Sequence, residues 1–178
     1  MWFAIASTDL GEFGFGWSSK GIARLNLPGE PAVSIAERFV GLGYSAAVPP
    51  EAVSELIQEV RRYCEGQKVE FQHVALDLTG VSPFYQRVYA RLRELGWGKT
   101  TTYGDLAAEL GDVRLARAIG QAMGANPVPL IIPCHRVLAS SGKPGGFSAP
   151  GGTSSKLRML ALEGVQPGAP IGQLGFGF

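Results

Sequence analysis

The sequence predicts an α+β protein, with a small α/β unit in the first half and a mainly helical unit in the second. Three short apolar segments near the N-terminus are separated by Gly, Ser and Lys, which is typical of a strand meander. These segments are Trp2–Ser7, Phe13–Trp17 and Ile22–Leu27. Helical spacing dominates after the Gly and Pro residues at positions 80–83, which predicts domains at residues 1–79 and 80–178.

Two helices and one more strand complete the predicted N-terminal unit. Ala32–Leu42 is expected to be helical, and Ala52–Tyr63 follows two prolines and repeats its apolar residues at helical spacing. Val69–Leu78 alternates apolar and polar residues, which predicts a further strand. The glycines of Gly11–Gly16 lack the spacing and the following helix of a nucleotide-binding loop, so we assign them to a strand.

The second half contains a helix-turn-helix pattern. A helix over Pro83–Leu95 is followed by a short helix within Thr101–Gly111 and by a second one over Val113–Gly124, which Asp112 would cap. The second of these two helices carries small residues interspersed with Arg and Gln. Such a helix can approach a nucleic-acid backbone closely, and it can equally pack closely against another helix, so both interpretations stay open.

A proline-rich segment precedes one of the two cysteines. Asn126–Pro133 holds three prolines, each of which fixes its own φ and disfavours helix in the preceding residue, so we expect an extended, stiff segment. Leu130–Ile132 within it should be buried. Cys134 follows directly, and a thiol at the end of a rigid segment is held in the way that a nucleophile requires.

Composition and charge narrow the class of protein. The chain of 178 residues is 46% hydrophobic and 17% charged, which is typical of globular proteins. Residues 1–78 carry six Lys/Arg and ten Asp/Glu, whereas residues 79–178 carry ten Lys/Arg and five Asp/Glu. The second half is therefore the one expected to face a polyanion, with chance as the open alternative. An apolar run long enough to span a membrane is missing and the N-terminus does not resemble a signal peptide, so we expect a cytoplasmic protein without membrane partners.

The two cysteines are expected to be reduced thiols. Cys64 and Cys134 lack the context of a secreted disulfide, and the spacing of His73 and His135 does not build a zinc site with them, so we expect neither a metal nor another cofactor. A free cysteine is usually a small buried apolar residue, which is how we interpret Cys64.

Cys134 differs from Cys64 in its neighbours. His135 and Arg136 follow it, and Arg117 and Lys143 belong to the same basic half. Imidazole and cationic neighbours lower the pKa of a thiol and thereby favour the reactive thiolate. Adjacent side chains of an extended segment point in opposite directions, so His135 would reach the sulfur through a water molecule or a bend. We therefore predict a nucleophilic Cys134.

The segment around Cys134 resembles the active-site signature of a known family. Pro133-Cys-His-Arg-Val137 is similar to that of the methylated-DNA–protein-cysteine methyltransferases, also called O6-alkylguanine-DNA alkyltransferases. The resemblance spans about residues 80–165, while the first half resembles the ribonuclease-H-like N-terminal domain of that family only loosely. It implies a winged helix-turn-helix-like motif in the second domain. The other matching motifs begin with Pro83-Phe-Tyr-Gln-Arg-Val-Tyr and continue with Thr102–Ala107, Ala116–Gly120, Asn126–Pro129 and Leu162–Gly164.

The resemblance implies a set of catalytic residues. Cys134 would accept the alkyl group, and His135 would deprotonate it through a bridging water. Glu163 would orient and charge the imidazole, as the third member of a triad does. Asn126 would hold the turn between the recognition helix and the active-site segment.

It also implies a set of residues that bind the substrate. Arg117 would fill the gap that an extruded guanine leaves in the duplex, and Tyr103 would help to rotate the 3′ phosphate and donate to the flipped base. Ser148 would donate near O6, and the carbonyl groups of Cys134 and Val137 would accept from the guanine amino group. The substrate- and DNA-binding residues expected from the resemblance are Tyr103, Arg117, Arg136, Val137 and Ser148.

The function implied is DNA repair by direct transfer of an alkyl group from O6-alkylguanine, after base flipping in double-stranded DNA. Whether O4-alkylthymine is also a substrate stays open. A thioether is a poor leaving group, so each molecule would act once, as a monomer without a required protein partner. Two other classes stay open. A non-catalytic reader would bind alkylated DNA without using a cysteine, and a cysteine hydrolase would use Cys134, His135 and Glu163 over many turnovers.

Two parts of the chain depart from the family pattern or stand outside it. Gly146–Gly152 lies where the family has a shorter loop, with two extra residues between Cys134 and Glu163, and Phe147 replaces a frequent tyrosine. Because this loop walls the base pocket, the role of Ser148 and the range of alkyl groups stay open. The tail, Gln166–Phe178, either packs on the first domain or stays loose.

Overall fold

A four-stranded sheet forms the N-terminal half in the computed structural model, which describes residues 1–168. The predicted meander is present as β1 (Trp2–Thr8), β2 (Gly11–Ser18) and β3 (Gly21–Asn26), whose neighbours pair antiparallel. The two-residue strand β4 (Ser45–Ala46) adds to β1 in parallel, giving the order β3-β2-β1-β4. Residues 169–178, which make up most of the tail, lie outside the described part of the chain.

The two predicted N-terminal helices pack on opposite faces of this sheet. Helix α1 (Ala32–Gly41) lies on the face that carries Gly14 and Gly16, where an added Cβ at Gly14 would come within 2.5 Å of the Phe39 ring. The strand glycines therefore admit a helix at close range. The opposite face presents aromatic side chains to α2 (Glu51–Cys64) and to the core of the molecule.

The strand predicted over Val69–Leu78 is wrong. The segment is irregular and, within residues 1–168, makes only one isolated bridge, between Leu76 and Ile22. The guanidinium of Arg93 donates to the carbonyl groups of Phe71, Gln72 and Val74 at 3.2, 2.7 and 2.7 Å. A side chain from a distant helix thus takes the acceptors that a strand would have offered to a neighbouring strand.

The predicted helices of the second half are present with small changes. Ser82 caps α3, Thr102 caps α4, and Asp112 caps the turn that leads into α5, each through its side-chain oxygen. The second helix of the pair begins with a 3₁₀ turn, Val113–Leu115. The elements are α3 (Pro83–Arg93), β5 (Thr101–Thr102), α4 (Tyr103–Glu109), α5 (Ala116–Gly124), β6 (Val137–Leu138) and α6 (Gly152–Leu162).

The proline-rich segment is not extended, so that part of the prediction is wrong. Its chain reverses in a tight turn, where the amide of Ile132 donates to the carbonyl of Val128 at 2.9 Å and Leu130 adopts a φ of 77°. A left-handed conformation is costly for a residue with a Cβ, so the surrounding contacts must hold it. Leu130, Ile131 and Ile132 are all buried, as predicted.

Most of the buried apolar residues of both halves form one continuous cluster, while Phe3, Ile35, Phe39 and Tyr44 form a smaller one beneath α1. The larger cluster joins the aromatic face of the first sheet to α3, α5 and the proline-rich turn, and the amide of Leu25 donates to the carbonyl of Pro127 at 2.9 Å across this junction. The domain boundary after residue 79 stays a prediction. Within residues 1–168, every helix is too short or too polar to cross a membrane.

Candidate active site

Cys134 lies at the start of a short helical turn rather than on an extended segment. The 3₁₀ turn comprises Cys134–Arg136, with the amide of Cys134 bonded to the carbonyl of Ile132 at 2.8 Å. The thiol is free and the residue is 3% exposed. Such a short turn fixes the sulfur against the core and turns the following imidazole inward.

The electrostatic surroundings of the thiol differ from the sequence prediction. Burial raises the pKa of Cys134, while the Asn126 side chain and the ammonium of Lys156 act to lower it. Arg117 and Lys143, the expected cationic neighbours, are exposed. The prediction of a lowered thiol pKa is therefore wrong, because desolvation outweighs the nearby charge. The resting sulfur is a protonated thiol that needs a base.

His135 has the geometry of such a base. Its ring is fully buried, and Nε2 lies 2.7 Å from Oε1 of Glu163. Because a carboxylate can only accept, Nε2 carries the proton in this contact and Nδ1 keeps its lone pair. Nδ1 is buried and has no hydrogen-bond partner among residues 1–168. Burial lowers the pKa of His135, against the opposing effect of Glu163, so the ring is held neutral.

The carboxylate of Glu163 is surrounded by donors. Arg136 donates to it from Nε at 2.8 Å and from Nη2 at 3.0 Å, and the amide of Gly98 donates at 3.3 Å. Tyr63 donates from its hydroxyl at 3.0 Å. Burial alone would raise the pKa of Glu163, but the hydrogen bonds from His135 and Arg136 outweigh it and lower the pKa to about 2. Glu163 therefore stays ionised while the imidazole changes state.

Arg136 does not have the position expected of a DNA-binding side chain. The residue is 3% exposed, and its guanidinium is bonded to Glu163 and to the carbonyl of Leu95. A buried arginine paired in this way is not free to contact a phosphate. The expectation of a DNA contact from this side chain is corrected accordingly, and Arg136 instead balances the charge of Glu163.

Lys156 is a second buried cation near the thiol. It is fully buried on α6, and its Nζ donates to the carbonyl of Val137 at 2.5 Å. Burial lowers its pKa to about 8, against a raising effect of Cys134. Its Nζ also lies 6.0 Å from the centre of the Phe147 ring.

A cavity of about 360 Å³ opens beside the sulfur. This volume lies within the range of small-molecule sites. Burial, with a smaller effect of Cys134, raises the pKa of Tyr103, which keeps that hydroxyl protonated and able to donate. Ser148 is at the exposed rim, where its hydroxyl donates to the carbonyl of Gly124 at 3.4 Å. The cavity is lined by Tyr103, Gly120, Met123, Gly124, Cys134, Gly146, Phe147 and Ser148.

The helix α5 leads to the mouth of this cavity. Arg117 is exposed, and it precedes Gly120 and Gly124 by three and seven residues, which places all three on one helix face. At the end of the helix, Asn126 accepts from the amide of Val128 at 3.0 Å and donates to the carbonyl of Ile132 at 2.9 Å. Its side chain thereby ties both ends of the turn that carries the thiol.

Relatives of this chain identify the family. A family model described as 6-O-methylguanine DNA methyltransferase, DNA binding domain, matches residues 83–165. A methylated-DNA–protein-cysteine methyltransferase of Mycolicibacterium paratuberculosis is 40% identical over 114 residues, which are 64% of this chain and 67% of that protein. The solved structure of Mycobacterium tuberculosis OGT in complex with DNA is 30% identical, with a TM-score of 0.75 and coverage of 92% of both chains. The chain belongs to the methylated-DNA–protein-cysteine methyltransferase family.

A further relative of this chain carries a different name. The DNA base-flipping protein of Thermus thermophilus is 40% identical over 120 residues, which are 65% of this chain and 79% of that protein. The solved O6-methylguanine-DNA methyltransferase of Pyrococcus kodakaraensis is 26% identical, with a TM-score of 0.73 and coverage of 92% and 99%. The mixed α and β architecture of this chain is thus that of its family.

The loop Gly146–Gly152 lies between the two halves. Gly146–Gly152 walls the cavity through Phe147 and Ser148, and an added Cβ at Gly29 would come within 2.9 Å of Pro150. A smaller cavity of about 170 Å³ shares Cys134 with the first and extends toward Arg24 and Arg38 of the N-terminal half. This loop therefore helps to form the junction beside the thiol.

Sequence reasoning within the family motifs missed three residues of the site. Lys156 carries a detectable signal, because it precedes Met159, Leu160 and Glu163 by three, four and seven residues and so lies on the buried face of α6. Tyr63 and Gly98 carry no local signal, since each meets Glu163 only through the tertiary fold.

The second cysteine and the second histidine lie outside this site. Cys64 is buried, as predicted, and Nε2 of His73 lies 3.2 Å from a carboxylate oxygen of Glu59. Within residues 1–168, no group of three or more His, Cys, Asp or Glu side chains could bind a metal ion.

Proposed function

We propose that this protein repairs DNA by transferring the alkyl group of an O6-alkylguanine to Sγ of its own Cys134. One observation carries the proposal: a buried free thiol borders a cavity, next to a neutral imidazole whose Nδ1 is unpartnered within residues 1–168 and whose Nε2 is held by Glu163. These three groups can serve as a nucleophile, its base and the carboxylate that orients the base. The names of the relatives support the same reaction.

The transfer step balances with these groups alone. The thiol proton of Cys134 passes to Nδ1 of His135 through one water molecule, and the sulfur attacks the alkyl carbon. An S–C bond forms as the bond between that carbon and O6 breaks, and its electron pair remains on the guanine. The guanine takes up one proton while His135 releases the one that it accepted, so the number of protons is unchanged. The product is an alkylated Cys134 and an unmodified guanine. Lys156 and Asn126 stabilise the thiolate while it forms, because both act to lower the pKa of Cys134.

The reaction is proposed to occur once per molecule. A thioether lacks a good leaving group, and Glu163, with a pKa of about 2, is ionised at neutral pH and has no proton with which to assist its release. The sulfur is also buried, which limits access of any external nucleophile to the alkyl group.

The substrate is proposed to be double-stranded DNA with the damaged base turned out of the stack, because an alkylated base cannot reach a buried sulfur while stacked. Arg117 would fill the gap from the exposed face of α5, and Tyr103 would rotate the 3′ phosphate and donate to the base. Ser148 would donate to O6, and the carbonyl groups of Cys134 and Val137 would accept from the amino group. The cavity lined by Tyr103 and Ser148 supports these assignments.

Finer features of the assignment are proposals as well. We assign residues 1–79 to a ribonuclease-H-like domain and residues 80–178 to an alkyl-acceptor domain with a winged helix-turn-helix-like motif. The four-stranded sheet and the pair α4–α5 support this division. A monomeric, cytoplasmic protein that needs no protein partner is the proposed working form, and O4-alkylthymine is a further substrate to test.

Peptide mass mapping tests the reaction. The protein is incubated with a duplex oligonucleotide that contains one O6-methylguanine and is then digested. We expect one methyl group on the peptide that contains Cys134, none in Cys134→Ala, and full transfer in Cys64→Ala, the matched control at the other buried thiol. Tight binding without methylation would favour a reader, and repeated release of product would favour a hydrolase.

A further inference from the structure

Tyr63 connects the N-terminal half to the carboxylate of the active site. It lies near the end of α2 and is fully buried, with its hydroxyl 3.0 Å from Oε1 of Glu163 and 3.4 Å from the carbonyl of Met159. The Trp97 ring meets its ring edge-on at 5.4 Å, and the Phe71 ring lies at 6.0 Å. Because these aromatic contacts fix the ring, the hydroxyl is held at the carboxylate.

The direction of this hydrogen bond is determined by the charges. Glu163 is ionised and can only accept, and burial together with the charge of Glu163 raises the pKa of Tyr63, which keeps the phenol protonated. Tyr63 therefore donates. Oε1 then serves three donors at once, namely Nε2 of His135 at 2.7 Å, Nη2 of Arg136 at 3.0 Å and the Tyr63 hydroxyl.

We propose that Tyr63 is a positioning residue for the activation of Cys134. Its hydrogen bond to Oε1 of Glu163 weakens the hydrogen bond that this oxygen accepts from Nε2–H of His135, and in this way it sets the proton affinity of the imidazole. The proposal rests on the proposed function for its consequence, the rate of alkyl transfer. It makes the N-terminal half a contributor to the chemistry of the thiol, through one side chain.

The direction of the effect follows from the neighbours of the imidazole. Removing one donor from Oε1 leaves more negative charge there, which strengthens the contact with Nε2–H and stabilises the imidazolium. A base that is protonated at higher pH is lost from the reaction earlier as the pH falls. The titratable and charged groups that face the imidazole or its carboxylate are Cys134, Arg136, Lys156, Glu163 and Tyr63.

The test compares Tyr63→Phe with Tyr89→Phe. Both tyrosines are buried, and each variant removes one hydroxyl donor from the interior. The hydroxyl of Tyr89 donates to the carbonyl of Ala122 at 2.8 Å rather than to Glu163. Each variant is made in a His73→Gln background, so that His135 is the sole histidine of the 178-residue chain. Denaturant midpoints establish that the variants are folded.

Two readouts separate a positioning role from a structural one. In histidine-labelled protein at neutral pH, we expect the Nε2 proton resonance of His135 to move downfield in Tyr63→Phe and to stay in place in Tyr89→Phe. In transfer assays with an O6-methylguanine duplex, we expect the acidic limb of the pH–rate profile to move up by roughly half a unit in Tyr63→Phe, about a threefold change in proton affinity. The transfer rate on the plateau above this limb should change by a smaller factor than the proton affinity does.

The inference and the proposed function can fail separately. An unchanged Nε2 resonance and an unchanged acidic limb in Tyr63→Phe would overturn the role of Tyr63, as would equal shifts in Tyr89→Phe. If the parent protein does not methylate Cys134, the proposed function fails, whereas the resonance of His135 still decides whether Tyr63 acts on the imidazole.

Discussion

Replacing Glu163 by glutamine removes the charge that joins the base of the site to its buried arginine. The carboxylate accepts from His135, Arg136, Tyr63 and Gly98, and all of these groups are donors. Glutamine keeps one acceptor oxygen but places an amide donor against the remaining donors. It also leaves the guanidinium of Arg136, which is 3% exposed, without a counter-ion.

The magnitude follows from the burial of this pair. Removing one partner of a buried ion pair costs about 3–5 kcal/mol. In a protein of this size each kcal/mol lowers Tm by roughly 2–4 °C, so we expect a decrease of about 6–20 °C. Loss of an oriented general base lowers a rate by roughly 10²–10⁴-fold, and we expect transfer to Cys134 to slow by that order in Glu163→Gln at temperatures where the variant is folded.

Calorimetry and single-turnover kinetics measure the two effects, with Glu109→Gln as the matched control. Glu109 pairs with Arg91 at 2.7 Å, but its side chain is 43% exposed, so we expect a loss below about 1 kcal/mol and an unchanged transfer rate. Because Glu163 has a pKa of about 2 in the folded state, its stabilisation is complete above about pH 4.5 and is lost as the pH falls toward 2. A Glu163→Gln variant as stable and as fast as the parent would refute this reasoning.

Three further predictions concern DNA, the backbone and pH. Arg117→Ala should slow transfer from duplex DNA at least tenfold more than transfer from free O6-benzylguanine, since only the duplex requires base flipping; equal losses in parallel rate assays would remove Arg117 from that role. Gly98→Ala should lower the free energy of unfolding by at least about 1 kcal/mol, because Gly98 has a φ of 69° and an added Cβ would come within 3.0 Å of the Glu163 carbonyl. Urea titration of Gly66→Ala separates strain from collision, since Gly66 has a φ of 81° but an added Cβ would make only an ordinary contact, with Leu162 at 3.9 Å. The free energy of unfolding should also fall as the pH drops below about 6.5, because His135 binds a proton more readily in the unfolded chain than in its buried folded position. We expect this fall to persist in His73→Gln. If it disappears there, the exposed His73 is its cause.

Local chemistry made the centre of the site predictable from the sequence. The motif around Cys134 places the thiol and the imidazole next to each other, and Glu163 was assigned from the motif Leu162–Gly164 in spite of the longer spacing from Cys134. The helices were predictable for the same reason, since apolar periodicity and the capping residue Asp112 are features of neighbouring positions.

Contacts between distant parts of the chain account for the errors. Nothing near Val69–Leu78 indicates that Arg93 would occupy its carbonyl groups, and nothing near Tyr63 indicates a partner 100 residues away. The pKa of Cys134 was misjudged because sequence shows which charges are near in the chain but not how completely the sulfur is desolvated. Arg136 was misassigned for a related reason, since a cation next to a nucleophile gives no sign of being buried.

The most direct test of the central claim is the stoichiometry of the reaction at Cys134. The intact mass of the protein and the amount of unmodified guanine formed are followed together, with the O6-methylguanine duplex in large excess. The account predicts that guanine formation stops at one equivalent per protein, with one methyl group on Cys134. Guanine that continues to form beyond one equivalent, or a protein whose Cys134 stays unmodified while guanine forms, would contradict it.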